Sequence, residues 1–265
     1  MTAPRLHVDV HEGVGPYALV VHGLLSSRGQ WVENLAALST VCRPVVVELL
    51  GHGRSPAPPG AATYAPGAYV EAFDALRRAL GADRWVVIGQ SLGAALTLRY
   101  ALDRPDRVLA QVLTNSASAL GDDAWRARIA PDLTAIAQRI DEHGRPAIAK
   151  LSVHPSRARR LPPAVRAELL ADAELLDPHG VASAFRHTVP ASSCYHRVGE
   201  NRVPSLLVVG TREKAFAPSR RYAEEAMPHL RVVAADAGHA VNAQAAAVFD
   251  EAVRRFFGDV LPASG

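Results

Sequence analysis

A chain of 265 residues, 49% of them apolar, with a mean hydropathy of +0.04 and a formal charge of +3, has the composition of a globular protein large enough to bury a full core. That balance excludes a disordered or fibrous chain, and no apolar run approaches the roughly 20 residues of a membrane span. The positive charge is almost all arginine, scattered except at Arg157-Ala158-Arg159-Arg160 and not interleaved with the aromatics that single-stranded nucleic acid requires. Cys42 and Cys194, the only cysteines, are too few for a disulfide framework or a Cys-based zinc site and are read as buried small apolar residues. The first nine residues lack the apolar stretch of a secretory signal, so a cytoplasmic location is expected. The expected partner is a small-molecule substrate, with neither nucleic acid nor membrane involved; oligomeric state has no signal.

In chain order, β-rich apolar runs fall at 17–21, 43–50, 84–88 and 108–113, with helical patterns between them at 30–38, 68–80 and 92–101. Short strands alternating with helices predict right-handed crossovers and a mostly parallel sheet, and near-continuous apolar strands predict burial on both faces. The rhythm then stops. Residues 119–202 show no strand and read as helices broken by Pro131, Pro146, Pro155, Pro162-Pro163, Pro178 and Pro190. It resumes with a strand at 203–209, a helix at 219–226, a strand at 230–234 and a final helix at 243–257. The predicted organisation is an α/β core from 1–118 and 203–265, with a helical cap or lid at 119–202.

Gly89-Gln90-Ser91-Leu92-Gly93 stands between a predicted strand and a predicted helix. A Gly-x-Ser-x-Gly pentapeptide alone is common. In that context it predicts a nucleophile elbow, a turn that strains the serine backbone and aims helix N-terminal amides at a developing oxyanion.

The order His22-Gly23, Gly51-His52-Gly53-Arg54-Ser55, Gly89-Gln90-Ser91-Leu92-Gly93, Gly210-Thr211-Arg212-Glu213 and Gly238-His239 resembles the α/β-hydrolase family, over nearly the whole chain except the inserted segment. The resemblance implies an α/β-hydrolase fold, with Ser91 as nucleophile and His239 as base. It implies an acid at Glu213, where the family more often has aspartate; a surface glutamate paired with Arg212 or Lys214 is the other reading of that position. The family's alternative acid position carries Thr114-Asn115-Ser116, which supplies no carboxylate; Asp122 or Asp123 would be a distant substitute. The backbone N–H groups of Leu24 and Leu92 correspond to the oxyanion hole. Glu48, Arg54 and Ser55 are read as loop scaffolding.

Substrate contacts are expected from Leu25, Ser26, Trp31 and Gln90 near the elbow and from Trp125, Arg126 and Arg128 in the inserted segment, the arginines to hold a carboxylate or phosphate. No phosphate-binding loop, dinucleotide fingerprint or zinc spacing is present, so no cofactor and no metal is expected. Three activities are open. The first is hydrolysis of a carboxylic ester, thioester or related acyl bond through an acyl-enzyme. The second is carbon–carbon or non-hydrolytic chemistry on the same residues, as in the menaquinone-pathway synthase or meta-cleavage-product hydrolases. That synthase carries an arginine four residues after its serine, where this chain has Ala95. The third is a binding protein that has kept the fold.

Overall fold

The computed structural model describes residues 4–261. Seven strands, β1 (His7–Val10), β2 (Tyr17–Val21), β3 (Arg43–Glu48), β4 (Trp85–Gly89), β5 (Val108–Thr114), β6 (Ser205–Gly210) and β7 (Leu230–Ala235), form one sheet in the order β1-β3-β2-β4-β5-β6-β7. β1 runs antiparallel to β3; every other pairing is parallel. The parallel strands follow from their sequences. Alternate residues of β2 and β4 go to opposite faces, Ala18, Val20, Val86 and Ile88 into one apolar cluster and Leu19, Val21, Trp85 and Val87 into the other. β1 is absent from the sequence reading because an edge strand of four residues, largely half-buried, has no continuous apolar run.

The helices are α1 (Leu35–Leu38), α2 (Pro66–Ala79), α3 (Leu92–Asp103), α4 (Ala117–Leu120), α5 (Asp123–His143), α6 (Arg145–Ala149), α7 (Pro163–Ala173), α8 (Pro178–Ser183), α9 (Ala217–Ala226), α10 (Val241–Gln244) and α11 (Ala246–Val260). Three expectations need correction. The helix expected at 30–38 is a 3-10 turn, Arg28–Trp31, followed by α1. Asn34 does not cap α1, because its side chain donates to Asn242 O and to Asp250 Oδ1. The final helix is two, divided where Ala245 leaves helical backbone at φ −137°, ψ 51°. Pro131 does not end its helix: α5 runs through it for 21 residues. The proline denies Ala127 its intrahelical donor, but Ala127 is exposed, so the missing bond is not buried away from water. The prolines at 146, 155, 163, 178 and 190 sit in the first turns of helices, where a missing N–H costs nothing. Among the described residues no helix is long and apolar enough to cross a membrane.

Helices α4–α8 and the turns between them lie between β5 and β6. This inserted segment is fastened to the sheet's C-terminal loops at several points. Gly51, at φ +73°, lies against Gly180 of α8 so closely that a Cβ on either would come within 2.5 Å of the other's Cα. Asp177 N–H donates to Gly51 O at 3.0 Å. Arg54 reaches Glu48 of β3 and, at 3.1 Å, Asp172 of α7, which also accepts from Ser27 Oγ at 2.7 Å. Leu25, in the loop after β2, is buried with Ala137, Ile140, Val181 and Phe185 in the apolar cluster of the inserted segment.

Candidate active site

The five residues of β4 are all buried, and the chain turns at Ser91, with φ 52° and ψ −116°, directly into α3. The turn depends on two glycines. A Cβ at Gly89 would fall 2.5 Å from Ala94 Cα, and one at Gly93 would fall 2.3 Å from Val21 O, so α3 rests on the strand ends only because neither has a side chain.

Two peptide units beside Ser91 are held by their carbonyls. Ser91 C=O accepts from Ser116 Oγ at 2.7 Å and from Ala95 N–H at 3.2 Å. Gly23 C=O accepts from His22 Nδ1 at 2.7 Å and from Ser26 N–H at 3.2 Å. A trans peptide directs N–H opposite to C=O, so the N–H groups of Leu92 and Leu24 point away from these partners. Both residues line the cavity described below.

His22 and His52 form a buried pair with ring centroids 5.5 Å apart. Each has one ring nitrogen on a carbonyl and the other accepting a backbone N–H: His22 spans Gly23 O and Leu49 N, His52 spans Leu50 O and Leu25 N. Both rings are therefore neutral with the proton on Nδ1. Burial pushes His22 down to about 4; burial and the neighbouring His22 push His52 down to about 3. Unfolded histidines protonate near 6.5, so the stability conferred by the neutral pair is complete above that pH and is lost as pH falls from 6.5 towards 4. The expected slope is about 2 kcal/mol per pH unit for two protons near pH 6, reduced by about a third to a half between pH 6 and pH 5 because Asp250, whose carboxyl burial pushes up to about 6, takes up a proton in the folded state. Urea midpoints that fall steadily between about pH 7 and pH 5 are expected; a flat profile would show the pair to be protonated in the folded protein.

The ends of β6 and β7 come together at another glycine: a Cβ on Gly210 would lie 1.9 Å from Gly238 O. This contact sets Glu213 beside His239, whose Nδ1 lies 3.0 Å from each carboxylate oxygen. The carboxylate fixes the proton on Nδ1 and leaves Nε2 as the free basic nitrogen. Burial acts to raise the Glu213 carboxyl but is outweighed by the hydrogen bond and charge of His239 and by the Asn115 amide, which hold it below its usual range. Arg212 pairs with Asp236 across the surface rather than with Glu213.

Asn115 joins the site through its side-chain amide, at a position where the family pattern asks only for a carboxylate. Its Oδ1 accepts from Gly210 N–H at 2.9 Å, which fixes the amide orientation, and its Nδ2 donates to Glu213 Oε2 at 2.7 Å and to Gly210 O at 3.1 Å. It is fully buried. Asn115→Ala should lower kcat/KM for an activated ester about tenfold with KM little changed, because a buried N–H and a carboxylate oxygen lose their partner. Steady-state kinetics checks this; a pure KM effect would count against it. The signal available was position, at the C-terminal end of a parallel strand, where such folds gather function.

A cavity of about 660 Å3 is lined by Ser91, His239 and Glu213 together with Leu24, Leu25, Ser26, Gln90, Leu92 and Trp125. Gln90 also ties the elbow to the His239 loop through a 3.4 Å bond to His239 O. Three expected contacts lie elsewhere. Trp31 is completely buried in the core beneath the sheet, its ring 6.1 Å from that of Phe249. Arg126 and Arg128 are exposed outside the cavity, Arg126 paired with Asp123 at 3.2 Å. The helical repeat explains this: Trp125, Ile129, Asp132 and Leu133 form one stripe of α5 facing the cavity, and positions 126 and 128 fall off it. Cys42 and Cys194 are buried, and burial pushes their thiols up to about 12 and about 11.

Comparison with known proteins gives a consistent result. A family model described as the alpha/beta hydrolase fold matches residues 19–246. A lipase, LipV, of Mycobacterium tuberculosis is 32% identical over 197 residues, 72% of this chain and 69% of that protein. A putative 2-succinyl-6-hydroxy-2,4-cyclohexadiene-1-carboxylate synthase of Bacillus subtilis is 27% identical over 271 residues, 95% of this chain and 97% of that one. The chain spans only 29% and 27% of the length of two further curated relatives. Among solved structures, MenH from S. aureus superposes with a TM-score of 0.84 at 18% identity, covering 97% of this chain and 99% of that one.

Proposed function

From the premise that this chain belongs to the alpha/beta hydrolase family, we propose that it is a serine hydrolase cleaving a carboxylic ester or related acyl bond of a small molecule through an acyl-enzyme. The observation that carries the reading is the pair His239 Nδ1–Glu213 at 3.0 Å on the wall of the same cavity as the strained Ser91.

In this reading Ser91 Oγ attacks the acyl carbon while its proton passes to His239 Nε2. The Leu24 and Leu92 N–H groups hold the oxyanion, each donor contributing about 2.7–4 kcal/mol. Collapse breaks the bond to the leaving alcohol, which takes the proton from His239. Water then attacks the acyl-enzyme, giving its proton to His239, and the second collapse returns a proton to Ser91 and frees the acid. One ester and one water give one acid and one alcohol. Glu213 stays ionised throughout, orienting the ring and stabilising its charged form. The segment at 119–202 serves as the cap, and Trp125, Leu25 and Gln90 as substrate contacts.

The test is chemical. A fluorophosphonate probe should label Ser91, and Ser91→Ala should neither label nor turn over an activated ester. Unlabelled Ser91 in the folded protein would count decisively against the reading. The length-wide match to the Bacillus synthase favours a second reading, carbon–carbon bond chemistry on the same residues. That relative's name specifies a carboxylate, whereas among the described residues no lysine or arginine lines this cavity. Product analysis with an ester and a β-diketone offered side by side separates the two.

A further inference from the structure

Resting on the serine-hydrolase reading, we propose that this site takes uncharged, apolar acyl esters and discriminates against anionic ones, with Asp132 of α5 as a specificity-determining residue. The protein as a whole is cationic, with 29 lysines and arginines against 26 acidic residues. The cavity wall reverses that balance. Among the described residues that line it there is no lysine or arginine, and there are two carboxylates, Glu213 and Asp132.

The arginines of α5 turn away. Arg126 and Arg128 fall outside the stripe that carries Trp125, Ile129, Asp132 and Leu133, and Arg126 lies instead in a separate outer hollow beside Arg186. Asp132 forms no ion pair with any described residue, so its charge is left to act on what enters. The wall also offers the imidazole of His154. Its Nδ1 accepts the Ser156 N–H, and burial holds it below the usual histidine range, which disfavours its cationic form. The remaining surface is mainly apolar, with Leu133, Val153, Leu161 and Leu169 from the inserted segment facing Leu24 and Leu25 from the core.

A carboxylate carried into this space would give up water and find no cationic partner, while meeting the field of Asp132. An alkyl chain meets neither obstacle. The volume of about 660 Å3 lies inside the range of about 300–1,000 Å3 typical of small-molecule sites, enough for an acyl group of moderate length.

The experiment compares p-nitrophenyl hexanoate with p-nitrophenyl hydrogen adipate, acyl chains of equal length with one ending in a carboxylate, on the full chain. Expected is a kcat/KM ratio of about 100 in favour of the hexanoate, the scale of leaving one charged group without a partner. Asp132→Asn should shrink that ratio about threefold and Asp132→Lys about tenfold, and salt at about 0.5 M should erase much of the Asp132→Lys effect because the charge is exposed and screened. A ratio near one overturns the selection. A ratio that stands in wild type but is unmoved in both variants overturns the role of Asp132. Fluorophosphonate labelling keeps the levels apart. Labelled Ser91 with neither ester turned over overturns this substrate class, whereas unlabelled Ser91 with no turnover overturns the hydrolase reading beneath it.

Discussion

Ser91→Gly is expected to abolish turnover and raise the thermal midpoint of the same protein. Ser91 is held at φ 52°, ψ −116°, a backbone region whose occupation by a residue with a Cβ costs about 1–3 kcal/mol. Glycine relieves that cost. It also frees the unfolded chain, which takes back about 0.4–1 kcal/mol. The balance is a gain of about 1 kcal/mol, or a rise of about 2–4 °C for a chain of this size. Activity should fall about 10^4- to 10^6-fold, since nothing replaces the attacking oxygen. Ser91→Ala is the control: it loses activity equally but keeps the Cβ and therefore the strain, so its Tm should stay near wild type. Calorimetry of the three proteins decides it, and a glycine variant that melts below the alanine variant would show that no strain is released at this turn.

Glu213→Gln should lower kcat about 10^3- to 10^4-fold while leaving the fold intact. The geometry gives the reason. Both oxygens of Glu213 lie 3.0 Å from His239 Nδ1, and one of them also accepts from Asn115. An amide at 213 presents one oxygen and one NH2 where two acceptors stood. With Asn115 Nδ2 claiming the oxygen, the NH2 faces His239, favours the tautomer protonated on Nε2, and removes the base from Ser91. Steady-state kinetics with an activated ester reads the loss, and urea denaturation checks that the variant still folds cooperatively. Because the carboxyl of Glu213 is held below its usual range, the stability it contributes is present above about pH 4.5 and lost as pH falls below. Wild type and Glu213→Gln should therefore converge in stability under acid. A Glu213→Gln variant retaining more than a tenth of wild-type kcat would remove the carboxylate from the mechanism.

The fold was legible in the sequence wherever burial was two-sided. β2, β3, β4, β5 and β6 read as apolar runs because helices cover both faces, and the Gly-x-Ser-x-Gly turn could be placed because a strand and a helix bracket it. β1 was not legible, since an edge strand exposed to water has no such run. Ser91, His239 and Glu213 could be named from their order along the chain, and they line one cavity. Asn115 could not, because its contacts depend on Gly210 and Glu213, residues about a hundred positions away, which offer it one donor and two acceptors at once. The inserted segment was harder. Only Ala137 and Ile140 of the 21 residues of α5 are fully buried, so no continuous apolar stripe marks its cavity face as running through Asp132 rather than Arg128. Trp31 went astray for a related reason: it follows the right loop, but the 3-10 turn rotates its ring beneath the sheet against Phe249.

The contact between Gly51 and Gly180 bears on how such a chain diversifies. Backbones this close leave no room for a side chain on either partner unless one of them shifts, so the two positions, one in the core and one in the inserted segment, are sterically tied. Recombination that imports a foreign insert at the β5 and β6 boundaries brings a new residue opposite Gly51. Unless that residue is glycine, the hybrid must bend a loop whose neighbours, His52 and Arg54, are already committed to Leu25 and to Asp172.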